Sequence, residues 1–193
     1  MSQFEFVMTV VSVFMSFGVV RLLDGLRATL NANRRYWVHS SWVLIRLASY
    51  VVLWWGSWSV REFESWNLLR FSLWLVPFGL LYLQCTALVT TRPNDVQDWR
   101  IHFYEIRTWF FATNVFFIVT LFLTTSVFGG VPVVHPISIS YLIIFIVSVA
   151  GYFSDSHKVQ AAIVLIAWFN LVLGWGVQIF DPATLIPPEA LNP

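Results

Sequence analysis

Charge is what this chain has least of. Of its 193 residues, 11% are Asp, Glu, Lys or Arg, where a soluble domain carries about a quarter. Water is therefore not its main solvent. The basic and acidic residues nearly cancel to a net charge of +1, which argues against nucleic acid as a partner. Cysteine is almost absent. Cys85 stands alone, which excludes an internal disulfide framework and any cysteine-based metal cluster. Catalytic signatures are missing as well: there is no G-x-S-x-G elbow and no H-E-x-x-H pair. The four histidines fall at the ends of apolar runs rather than stacked as haem ligands. Neither an enzyme nor a cofactor is expected.

What is abundant is apolar surface: 58% hydrophobic residues, a mean hydropathy of +0.73, 11 Trp and 18 Phe. Six runs, at 6–27, 37–60, 71–91, 109–129, 137–154 and 159–180, are long enough to cross about 30 Å of hydrocarbon. They are continuous rather than alternating, so helices are expected and a β-barrel is not. The reading is an all-α bundle of six transmembrane helices in one domain, residues 1–181. A Pro-rich tail, 182–193, follows, extended or loosely packed. No basic residue precedes the first run and no small-x-small site follows it, so that run reads as an uncleaved helix.

Orientation follows from the basic residues. With the N-terminus outside, the inner loops collect Arg27, Arg34, Arg35, Arg92, Arg100, Arg107 and Lys158, and the outer loops only Arg61 and Arg70. That asymmetry predicts both termini outside. The segment 95–107, "DVQDWRIHFYEIR", is amphipathic. Trp99, Phe103, Ile106 and Phe110 form one stripe and Asp95, Asp98, His102 and Glu105 another, so an interfacial helix running into the fourth span is expected.

Arg46 lies near the middle of the second run, roughly 15 Å from its inner boundary at helical rise. A central arginine costs at least about 2.5 kcal/mol unless it is paired or wetted. Its face, His39–Trp42–Arg46–Ser49–Leu53–Gly56, is too polar for lipid tails. No acid stands at matching depth; Asp24 is nearer the border, with Arg21 and Arg27 as helical neighbours. The remaining partners are neutral: Asn170, Asn114, Gln84 and Tyr50. A cavity lined by Arg46, Asn170, Gln84 and Asn114, with His39 and Arg21 nearer the inner side, would favour a small anion or an anionic lipid. The competing reading makes Arg46 a structural pin bonded to neighbouring helices.

Asp98, His102 and Glu105 are spaced as a candidate divalent-metal set, with His39 and His157 near enough to the inner face to join it, although an interfacial helix shows polar residues to water in any case. Thr9, Ser12 and Ser16 with Gly18, and "GWG" at 174–176, read as close helix packing. "WWGSW" at 54–58 and Trp66 read as an aromatic belt, with a ligand cage for an aromatic or cationic ring as the minor alternative.

"FMSFGVVRLLDGL" (14–26), "YWVHSSWVLIRL" (36–47) and "WRIHFYEIRTWFF" (99–111) together resemble a family of uncharacterised small bacterial inner-membrane proteins. The likeness covers the first four runs. It implies a bacterial inner-membrane location and carries no activity. Two functions are expected to compete. One is a small channel or transporter-like protein for an anion, self-associating to complete a pore. The other is a non-transporting module, such as an accessory subunit, sensor or defence effector, recognised through its inner loops.

Overall fold

The computed structural model describes residues 3–61, 66–129 and 135–180. The tail 182–193, and parts of the two loops at the opposite end from the basic residues, lie outside them. Among the described residues the chain is helical and contains no strand. The helices are α1 (Gln3–Thr29), α2 (Trp37–Gly56), α3 (Leu68–Leu88), α4 (Trp99–Gly129), α5 (Pro136–Phe153) and α6 (His157–Phe180). The starts of α3 and α5 are marked locally. Asn67 accepts a bond from the Arg70 amide at the head of α3, and His135 caps α5 just before Pro136, the helix position where proline is favoured.

Around the bundle the order is α1, α3, α4, α5, α6, α2, with α2 also touching α3 and α4. Five helices, all but α2, are long and apolar enough to cross a membrane; this is a multi-pass membrane protein. At 20 residues α2 spans about 30 Å, but His39, Arg46 and its serines and tryptophans dilute its apolarity. It is also the helix that packs against four others, α1, α3, α4 and α6. A helix screened by protein has less need of an apolar surface all round.

Two expectations change here. The amphipathic segment 95–107 runs into the fourth span as expected, but packed on protein rather than lying at the interface. Beyond a short turn at Pro93–Asp95, α4 runs unbroken for 31 residues from Trp99, about 46 Å. Trp99, Phe103 and Phe110 are completely buried, so the apolar stripe packs on protein rather than on headgroups. On α1, the buried face is Val7, Val11, Met15, Gly18, Leu22, Gly25 and Thr29, not the hydroxyl face. Thr9 and Ser16 are exposed and bond back to Glu5 and Ser12 carbonyls, which lets them face lipid without an unsatisfied donor.

Glycines discriminate real contacts from apparent ones. A methyl at Gly18 would collide with the Tyr50 ring and hydroxyl, and one at Gly25 with Val89; at Gly174 and Gly176 it would meet open space. Close packing therefore belongs to α1 and, at Gly151 against the Phe111 ring, to α5, and "GWG" is not a packing motif. Within α3, Pro77 has no N–H to give the Leu73 carbonyl one turn earlier. Thr124 of α4 reaches it instead, its hydroxyl shared between Leu73 O at 3.0 Å and its own helix's Thr120 O at 2.6 Å.

Candidate functional site

Arg46 is enclosed, with 4% of its surface exposed. Its Nη2 donates to Asn114 Oδ1 at 2.9 Å, Asn114 Nδ2 donates to Ser148 Oγ at 2.7 Å, and Ser148 donates to the Ile144 carbonyl at 2.6 Å. The relay crosses from α2 through α4 to α5. The guanidinium carbon lies 5.2 Å from the Trp42 ring centre, 5.3 Å from Phe110 and 5.8 Å from Phe117. Aromatic faces attract a cation, and more strongly where water is excluded. Phe110, Asn114 and Phe117 recur at i, i+4 and i+7, so one face of α4 is built for this charge. That spacing was visible in the sequence. Ser148 was the missed member, its only signal a hydroxyl inside an apolar run.

The set is not fully satisfied. Arg46 Nε, Trp42 Nε1 and both amide atoms of Gln84 are buried without hydrogen-bond partners. Asp24 makes no ion pair with Arg46; nor does any within 4 Å join it to Arg21 or Arg27. Asn170 lies elsewhere, accepting from Ser140 Oγ at 2.8 Å between α6 and α5. Tyr50, fully buried, receives the Cys85 thiol at 3.6 Å and abuts Gly18, locking α1, α2 and α3 together.

At the basic end, polar side chains do a different job. Helix ends leave their last carbonyls without helical donors, and here side chains of other helices supply them. Ser40 Oγ donates to Thr29 O at 2.8 Å and Trp99 Nε1 to Ala28 O at 2.9 Å, closing α1. His39 Nε2 donates to Leu88 O at 2.9 Å and His102 Nε2 to Ala87 O at 3.1 Å, closing α3. Gln160 Nε2 reaches the Gly151 and Ser154 carbonyls at 3.0 and 2.7 Å, closing α5. A carbonyl only accepts, so the protonated nitrogen of each histidine is fixed. His39 also stacks on Trp99, ring centres 4.8 Å apart.

The connections are tied to one another too. Arg34 donates to the carbonyls of Asn94 and Val96, and its own carbonyl accepts from the Trp99 amide. The Tyr36 hydroxyl and His157 Nδ1 share a 2.8 Å bond. Burial and the neighbouring Tyr104 hydroxyl hold the Tyr36 phenol well above its ordinary pKa, so it stays a neutral bonding group. Arg107 pairs with Asp155. His39 and His102 are thus a helix cap rather than ligands. Asp98 Oδ1 accepts from the Arg100 amide at the head of α4. Among the described residues, no three His, Cys, Asp or Glu side chains come together to hold a metal ion. The spacing of Asp98, His102 and Glu105 along the helix does not converge because His102 turns to α3.

Arg21 belongs to another place. It lines a groove of about 540 Å³ where α1, α3 and α4 meet near the basic end, with Thr90, Thr91, His102, Glu105 and Trp109. Arg21 Nε and Thr90 Oγ1 are buried there without partners. Trp54, Trp55 and Trp58 are about half exposed at the far end of α2, as a belt requires. Compared with known proteins, the chain matches no family model, no curated protein and no solved structure.

Proposed function

We propose that the protein is a non-transporting six-span module of a bacterial inner membrane, acting through a rigid platform at its inner, basic end. The observation that carries this reading is the stitching of the three inner connections: Arg34 binds the α3–α4 turn, and Tyr36 binds the head of α6. Such bonding opposes the relative helix movement that alternating access would need. The platform presents Arg35, Arg92, Arg100 and Lys158 as exposed charges, interleaved with the exposed Asp95, Asp98 and Asp155. That is suited to recognition by a partner surface of complementary mixed charge. The platform is placed on the inner side by the distribution of basic residues, and the bacterial membrane by the resemblance of 14–26, 36–47 and 99–111.

A second reading, a channel or carrier for a small anion, draws on the unpartnered donors Arg46 Nε and Trp42 Nε1 and the amide of Gln84. A desolvated anion or a water would satisfy such a cluster. Self-association to complete a pore belongs to this reading. Flux of chloride and nitrate into liposomes holding the purified protein separates the two. The module predicts flux equal to protein-free liposomes, for the wild type and Arg46→Gln alike. Anion flux abolished by Arg46→Gln would install the channel in its place.

A further inference from the structure

We infer that the groove between α1, α3 and α4 holds the headgroup of a phospholipid bearing both a phosphate and a primary ammonium, the phosphoethanolamine class. The walls carry one charge of each sign. Arg21 and Glu105 both line the groove, yet no ion pair within 4 Å joins them, so each is available to a ligand. On the cationic side, Arg21 Nε and the Thr90 hydroxyl are buried and unpartnered, and Thr91 adds a second hydroxyl. A guanidinium with adjacent hydroxyls is a phosphate-binding set, since charge-assisted bonds to phosphate are the strong ones. On the other side, Glu105 repels a purely anionic headgroup and accepts from an ammonium. A quaternary ammonium has no N–H to donate there.

The surroundings favour a lipid over a soluble phosphate ester. Trp109, 57% exposed, stands at the rim in the position of an interfacial anchor. Towards the middle of the bundle, Phe17 lies one turn from Arg21, Leu83 one turn from Thr86, which also lines the groove, and Phe116 two turns from Trp109, on the same helix faces. All three are exposed, so acyl chains find an apolar seat continuous with the headgroup groove. Its volume, about 540 Å³, is within the ordinary range for small-ligand sites.

Native mass spectrometry of the detergent-purified full chain tests this. Phosphatidylethanolamine, phosphatidylcholine and phosphatidylglycerol with identical acyl chains would be titrated against it. The wild type should hold phosphatidylethanolamine about tenfold more tightly than the other two. Arg21→Gln should weaken that binding by about tenfold, as expected for one lost charge-assisted contact. Glu105→Gln, at an exposed residue, should keep the fold and erase the preference over phosphatidylglycerol. An unchanged lipid preference in Glu105→Gln would overturn the assignment whatever becomes of Arg21→Gln. So would equal retention by a folded Arg21→Gln, or complete displacement of the lipid by soluble phosphoethanolamine.

Discussion

At the scale of single residues, Arg46 is held by one amide oxygen and three aromatic rings rather than by a counter-charge. The order of mutational effects follows. Asn114→Ala strands a buried charge and should cost about 3 kcal/mol, in the range for breaking a buried polar pair. Arg46→Met removes the charge and keeps the apolar stem, leaving only an unpaired amide, so about 1 kcal/mol is expected. Thermal unfolding in detergent ranks the two, and the reverse order would mean that something other than Asn114 compensates the guanidinium. Gly18→Ala should lower the same midpoint by a few degrees because the methyl displaces Tyr50, whereas Gly174→Ala should leave it unchanged. That Arg46 needed a partner was legible from its depth. Which residue would meet it was only half legible: the Phe110–Asn114–Phe117 spacing points inward, but nothing local selects Asn114 over Asn170 or Gln84.

At the scale of elements, Pro77 leaves α3 with an open carbonyl that α4 closes through Thr124. Thr124→Val should therefore cost about 1 kcal/mol. In a Pro77→Ala background, where the helical N–H returns, it should cost much less. A double-mutant cycle reads the coupling directly, and strict additivity would exclude the exchange of donors. The same logic governs the helix ends. Gln160→Leu leaves the Gly151 and Ser154 carbonyls unpaired, so faster amide exchange confined to residues around 150–156 is expected. Helix positions were legible because length and hydropathy are local properties. The surroundings of the first turns of α4 were not, since an amphipathic stripe looks the same whether its apolar side meets headgroups or, as here, the interior of a bundle.

At the scale of the whole molecule, the two ends differ in how they are built. The basic end is closed by side chains of one helix on carbonyls of another, and its connections are bonded together. Arg34→Ala removes the contact between two of them. It should raise protease susceptibility of the 89–98 turn without altering helix content by circular dichroism. Unchanged cleavage would mean that Trp99 and Tyr36 suffice to hold the platform. The bundle's perimeter is apolar, with Phe17, Phe116, Phe153 and Phe169 all well over half exposed, which is the surface lipid tails solvate.

By itself the sequence determined the solvent, the helical class, the approximate limits of the helices and the end at which the basic residues gather. These depend on composition and run length, which act through transfer free energies summed along a local segment. The tertiary structure alone decided the roles of the polar residues. It made His39 and His102 caps of α3 rather than metal ligands, separated Asn170 from Arg46, and brought Arg21 into a groove with Glu105. The reason is that a buried polar group takes whichever partner the packing of distant helices delivers, and its own spacing along the chain cannot name that partner.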